Sequence, residues 1–439
     1  MSSMSSRAIG PAGPGYSAQM RWKGLLLAGA LLAVEGCGGG PSSGGSDAGT
    51  GGGGGAGAAG APDGGSGRAL AFQKITLTQD FLCEGASFGD FNRDGIRDVV
   101  SGPYWYEGPS FATRHRLYPP MSFNPHGYSD CFFAFIVDFN DDGWDDVLMV
   151  GFPGTTASWL ENPGAPAVPG QPEPDWIRHV VVSGVDDESP AFADLTGDGR
   201  PELVFSQAGR FGWAEPDWNA PTNAWTFHPL SPSGGYGAFT HGLGLGDLNG
   251  DGRPDLLEAT GYWTQPATLD GDPVWADHPQ SFGPGGAQML TTDVDGDGDA
   301  DVVTSLAAHG SGLAWYEQTS AGAFTEHVIV PLDGGTLHLH EPHAVALADM
   351  NGDGLPDIVT GERFWGHVPE GEPDFSAPAR LYWFEAGRDG DAHYLPHLID
   401  DASGVGTQVV AGDLNGDGRS DVVVANKKGA FVFLQTAEH

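Results

Sequence analysis

Asp413-Leu-Asn-Gly-Asp-Gly-Arg-Ser-Asp421 is an acidic nonapeptide with a central glycine, and six relatives of it stand upstream, at Asp90, Asp138, Asp194, Asp247, Asp293 and Asp349. The upstream copies read DFNRDGIRD, DFNDDGWDD, DLTGDGRPE, DLNGDGRPD, DVDGDGDAD and DMNGDGLPD. Successive starts are 48, 56, 53, 46, 56 and 64 residues apart. A period of that size means a stacked or circular array of one supersecondary unit. Each copy is followed by apolar, largely β-branched residues such as Val99-Val100, Val302-Val303 and Ile358-Val359. Each is preceded by a run of apolar or small residues such as Ala344-Val-Ala-Leu-Ala348. The motif therefore joins two strands, with no helix on either side.

The residue types fit calcium, which takes six to eight oxygen ligands in flexible geometry. Positions 1, 3, 5 and 9 of the copies are Asp90, Asn92, Asp94 and Asp98; Asp138, Asn140, Asp142 and Asp146; Asp194, Thr196, Asp198 and Glu202; Asp247, Asn249, Asp251 and Asp255; Asp293, Asp295, Asp297 and Asp301; Asp349, Asn351, Asp353 and Asp357; Asp413, Asn415, Asp417 and Asp421. These are the expected ligands of up to seven calcium ions, with the position-7 carbonyl as a further donor. Glycine at position 6 in every copy permits a sharp turn with positive φ. Thr196 makes the third site the weakest. An EF-hand would need a Glu at position 12 between two helices, and these copies lack it.

Composition agrees with many short strands. The chain has 439 residues, and 71 glycines and 33 prolines punctuate it too densely for long helices. The net charge of −39, with only 19 Lys and Arg, excludes a basic nucleic-acid surface. No phosphate loop, CxxC or serine-hydrolase signature is present.

The N-terminal part reads as targeting. Arg21 and Lys23 precede the apolar run Gly24–Val34, which is too short to span a bilayer comfortably. Val34-Glu-Gly-Cys37 resembles a bacterial lipobox, so residues 1–36 are expected to be a signal peptide, with residues 1–19 an upstream extension if Met20 is the start, and Cys37 the lipidated residue. Residues 37–68 form the tether: from 38 onward 16 of 31 residues are glycine, a composition that cannot build a core. The expected location is the cell envelope or surface, with membrane contact through the lipid alone and a monomeric head.

Residues 69–439 form the folded head. Beyond the two strands around each acidic loop (A and B), a third strand C carries aromatics, including Trp105, Trp159, Trp213, Tyr262, Trp315, Trp383 and Phe433. A fourth strand D carries His115, His179, His228, His278, His327 and His397 in one register. A residue repeated in six of seven units is structural. The seventh unit ends after strand C, and Phe72–Thr78 stands unused before the first. That strand is expected to complete the last unit and close a ring. The fold class is all-β: a seven-bladed propeller of four-stranded antiparallel blades.

These repeats resemble FG-GAP/VCBS repeats, the family of the integrin α-subunit propeller. The resemblance implies calcium in the A–B loops. It does not fix an activity, because propellers host many.

Side chains that break the repeat carry the functional expectation. Glu84, His241 and His343 each lie six residues before an acidic loop, and Gln288 and Gln408 five before. Glu188, Ser189 and Asp130 are near. This register begins the inner strand at the channel mouth, opposite the calcium loops. Such a ring of His, Glu and Gln is able to hold a transition metal or a polar ligand. The B–C loops on the same face bring His309, Arg363, Trp365, His367 and Lys427, the residue types of a carbohydrate or protein-binding surface. His338-Leu-His340-Glu-Pro-His343 is the densest histidine cluster.

Ser129-Asp-Cys-Phe-Phe-Ala-Phe and Gly406-Thr-Gln-Val-Val-Ala-Gly resemble the propeller part of aldos-2-ulose dehydratases, which implies metal-assisted dehydration of an oxidised sugar. His241 and His343 are then the catalytic candidates, and Glu84, Gln288, His309, Arg363, Trp365 and Gln408 the ligand-binding ones. Two readings stand: a displayed propeller that binds carbohydrate or a surface protein, and a metal-dependent lyase. Cys83 and Cys131 each lie seven residues before a loop. A bridge between them is one reading, and side chains that run parallel without bonding are the other.

Overall fold

The structure is a computed structural model that describes residues 70–164, 173–333, 335, 337, 339–366 and 378–436. Cys37 and the rest of residues 1–69 lie outside the described residues, as do His338 and His367. The described residues contain 28 strands and no helix. They form seven antiparallel sheets of four strands, the seven blades of a propeller. Blade 1 runs A Ser87–Gly89, B Asp98–Ser101, C Tyr104–Tyr106 and D Arg114–Arg116. Each nonapeptide joins strand A to strand B of its blade.

The ring closes as its sequence requires. Blade 7 has A Val409–Gly412, B Asp421–Asn426 and C Gly429–Thr436, and its fourth strand is Ala71–Thr78 from the other end of the chain. Lys74 pairs with Phe433 in that ladder. In the other six blades the same cross-strand position is Trp105 with His115, Trp159 with His179, Trp213 with His228, Tyr262 with His278, Trp315 with His327 and Trp383 with His397. Each imidazole lies against its aromatic partner at 4.0–5.1 Å between ring centres. In five of the six, the carboxylate two residues after that aromatic approaches the ring: Glu107, Glu161, Glu215, Glu317 and Glu385. Lys74 takes the histidine's place in blade 7, over Phe431 and Phe433, and pairs with Asp400 of blade 6 at 2.7 Å. The repeated histidines are packing elements.

The acidic loops are organised by their own oxygens. In the first, Asp90 accepts from the N–H groups of Asp94 and Gly95, Asn92 accepts from that of Asp94, and Asp94 from that of Ile96. The seven position-6 glycines have φ between +81° and +98°. Position 9 has a further task. Asp98 is fully buried, and its two oxygens accept from Phe91 N and Gly108 N at 2.9 Å, tying the loop to the end of strand C. Asp146, Asp255, Asp301, Asp357 and Asp421 repeat this pattern. Glu202 instead accepts from Leu195 N and Thr196 N.

Burial, reinforced by the aspartates at positions 1 and 5, pushes these buried carboxyls up: Asp98 and Asp357 to about 7, Asp146 to about 8, and Asp255 and Asp421 to about 6. An all-oxygen cradle of mutually repelling acids is the donor set of a hard divalent cation, so the loops fit calcium. The loops that bring three acid oxygens within 4.8 Å of one another are the third (Asp194, Asp198, Glu202) and the fifth (Asp293, Asp295, Asp297).

Two outcomes follow. Deleting residues 70–78 uncovers the strand Gly429–Thr436 as an open edge, and size-exclusion chromatography is expected to show self-association. In chelator, the position-9 carboxyls are protonated in the fold well above their ordinary value of 3.8, so the calcium-free protein loses stability as pH rises from about 4 through about 8. Calcium in excess is expected to remove that decline in a series of thermal melts.

Candidate metal centre at the channel mouth

The inner strands begin at the face opposite the acidic loops, and the residues just before them line the channel mouth. Close approach there demands small residues. A Cβ on Gly406 would meet the carbonyl oxygens of Ala425 and Glu84 at 2.0 Å. Thr407 reaches from blade 7 over blade 1, donating its N–H to Glu84 O at 2.8 Å and its hydroxyl to Phe132 O at 2.6 Å. Cys83 and Cys131 form a disulfide across blades 1 and 2, with Cα atoms 5.0 Å apart.

Four side chains converge beside this floor. Glu188, His241, His309 and His343 bring ligand atoms within 4.8 Å of one another. His343 Nε2 is 3.2 Å from His309 Nε2 and 3.9 Å from Glu188 Oε2. The His241 ring centre is 4.6 Å from that of His309 and 5.5 Å from that of His343. Three of the four occupy one register, six residues before an acidic loop: Glu188 in blade 3, His241 in blade 4 and His343 in blade 6. Blade 5 has Ala287 at that position, and His309 comes from its B–C loop instead. His241 and His343 are fully buried, while the His309 side chain is 23% exposed.

The donor set fits a borderline transition cation such as zinc. Imidazoles with one carboxylate suit such an ion, whereas calcium takes oxygen. His241 Nδ1 lies 3.2 Å from the Phe239 carbonyl, which sets that nitrogen as donor and leaves Nε2 to bind. Three non-glycine residues hold left-handed backbone at the site: Phe239 (φ 68°), Glu341 (φ 48°) and Trp365 (φ 52°). Each stands two residues from His241, His343 or Arg363. Such strain costs about 1–3 kcal/mol per residue and persists where the surrounding structure imposes it.

Arg363 backs the centre. Its Nη1 lies 3.1 and 3.0 Å from the two ring nitrogens of His343, and its Nη2 donates to Glu84 Oε1 at 3.0 Å. Burial works against its charge, but Glu84, Glu188 and Glu341 hold the guanidinium protonated. Glu84 also accepts from the N–H and hydroxyl of Ser129. Glu84 therefore stands outside the four converging ligands and anchors Arg363. Gln288 and Gln408 lie one residue further along their strands, where alternation turns the side chain to another face. Both spend their amides on backbone: Gln288 on Val345 N and Thr407 O, Gln408 on Ala134 N and O. They brace neighbouring blades against one another. Trp365 stacks on Phe364 and lies 4.9 Å from His126, on the rim. His340 bridges Ser311 through its backbone and is not among the four. Glu188 joins the converging four, whereas the sequence placed it only near the ring and not among the candidate site residues. Its spacing of six from Asp194 was the signal, equal to that of His241 and His343.

With fold and site described, the repeats have a family counterpart. An FG-GAP-like repeat model matches residues 138–205 and 269–360, and an FG-GAP repeat model matches 405–431. Those three segments are FG-GAP-like repeats. Solved structures similar to this FG-GAP-like propeller include an Agrocybe aegerita lectin that recognises non-reducing terminal N-acetylglucosamine, at 19% identity over 66% of this chain and 73% of the lectin, with a TM-score of 0.42. BBS1N in complex with ARL6DN is similar at 9% identity over 84% and 98% of the two chains, with a TM-score of 0.49. Rhamnogalacturonan lyase YesW is similar at 13% identity over 83% and 76%, with a TM-score of 0.42. No curated protein matches the chain in sequence.

Proposed function

We propose that this propeller is an exported, lipid-anchored lyase that eliminates a hydroxyl from an oxidised sugar at a transition-metal centre, with calcium in its A–B loops as structural ions. The observation that carries the proposal is the convergence of Glu188, His241, His309 and His343 at one point of the channel mouth. Glu188, His241 and His343 are the ligands, and three protein ligands leave open positions in a catalytic site. When bound, the ion polarises the substrate's carbonyl and so acidifies the neighbouring C–H.

The chain's own residues supply the rest. His309 is the partly exposed imidazole of the four. Its Nε2 faces His343, and its Nδ1 lies 3.8 Å from Glu341 Oε1. A carboxylate beside one nitrogen favours the proton on that side and leaves the other to take one, as a general base requires. Arg363 is buried against His343, so it positions that ring. Tyr128, Phe152 and Phe239 form a connected aromatic wall at the mouth, with ring centres 5.1 and 5.4 Å apart in sequence. Flat rings beside charged groups suit a sugar, with apolar faces against carbon and polar groups for hydroxyls.

The test measures metal content and elimination together, on a β-hydroxy keto-sugar. His241→Ala and His343→Ala are expected to lose the transition metal while keeping calcium. His309→Ala is expected to keep the metal and lose about 10²–10⁴-fold in turnover. A wild-type protein that takes up calcium alone, or a H309A variant with full activity, contradicts the proposal.

A further inference from the structure

An elimination needs an acid for the departing oxygen as well as a base for the carbon-bound proton, and the four converging residues provide only the base. We propose that Tyr128 is that acid, the group that protonates the leaving hydroxyl; this rests on the lyase reading above. Its place follows from its anchors. Ser129, the next residue, gives its N–H and hydroxyl to Glu84 at 3.2 and 3.0 Å, and Glu84 holds Arg363 against His343. The Cys83–Cys131 disulfide pins the same segment two residues further on. On its other side the Tyr128 ring packs on Phe152 at 5.1 Å, and Phe152 packs on Phe239, whose carbonyl orients His241. Tyr128 is thus held between the two arms of the centre.

Exposure separates it from its neighbours. Glu84, Glu188, His241, Glu341, His343 and Arg363 are all buried, while Tyr128 is partly exposed, as is His309. These two are the partly exposed titratable groups of the set. Lys427 Nζ lies 4.6 Å from the Tyr128 ring centre, a cation that favours negative charge on the ring once the proton has left. Burial, with Glu188, Glu84 and Glu341 nearby, pushes the phenol up to about 12, so it stands protonated before each turnover.

The step balances within the chain and substrate. The proton on the carbon beside the carbonyl goes to His309 Nε2. The C–O bond to the β-hydroxyl breaks, and its electron pair leaves with the oxygen, which takes the proton of Tyr128 Oη and departs as water. A carbon–carbon double bond forms in the sugar. The proton on His309 passes through solvent to restore Tyr128, and no oxidant or reductant is consumed.

The test compares Tyr128→Phe with wild type on a β-hydroxy keto-sugar and on its β-fluoro analogue, because fluoride leaves without a proton. The expected result is a loss of about 10²–10⁴-fold on the hydroxy substrate, a loss under about tenfold on the fluoro analogue, and unchanged metal content. Using one preparation on both substrates makes the ratio independent of how much protein is folded. Equal losses on both, or none on either, overturn the assignment while leaving the lyase reading intact. A metal-loaded wild-type protein that eliminates neither water nor fluoride overturns the lyase reading and this assignment with it.

Discussion

Ring closure is the constraint on which the rest of the molecule depends. The pairing of Ala71–Thr78 with Gly429–Thr436 gives the last blade its fourth strand and leaves no half-built blade in the circle. Once the ring is shut, the seven inner strands begin around one axis. Residues distant in sequence then meet because they share a register. Glu188, His241 and His343 span 155 positions along the chain and lie within one coordination sphere's reach. The same geometry lets Thr407 bond across blade 1 and Gln408 reach blade 2.

The two ends of the inner strands have opposite chemistry. At one end, aspartates and asparagines offer oxygen acceptors, and the position-9 carboxylates are buried and crowded by their neighbours. At the other end, imidazoles replace them, with a single guanidinium in contact and three buried carboxylates around it. A hard cation suits the first environment and a borderline one the second. The inner strands keep these two environments at opposite ends of the molecule. Non-glycine residues hold left-handed backbone at both ends: Phe239, Glu341 and Trp365 at the channel mouth, and Arg93 and Asp141 in the first two acidic loops.

The fold was legible because its punctuation is chemical. Seven loops with glycine at one fixed position mark every A–B connection, and the unused strand before the first loop has one place to go. The six strand-D histidines were legible as packing by repetition, and Lys74 in the seventh slot shows what that slot requires: a cation or imidazole over an aromatic ring. The site was readable only in part. His241 and His343 stood out because they break the repeat. Glu84 has the same spacing yet serves Arg363, because the arc of the ring on which a residue sits is not written in its register. Gln288 and Gln408 stand one residue further along their strands, and their bonds to the backbone of neighbouring blades were not legible from spacing. The Cys83–Cys131 bond depended on how far two neighbouring inner strands converge, which spacing alone does not give.

The central claim is that imidazole nitrogen binds a metal at the channel mouth, and X-ray absorption at the edge of the bound transition metal tests it most directly. The account predicts nitrogen donors from histidine at about 2.0–2.1 Å in the first shell, diminished when His241 or His343 is replaced. A shell made only of oxygen, or a spectrum indifferent to both replacements, would contradict it.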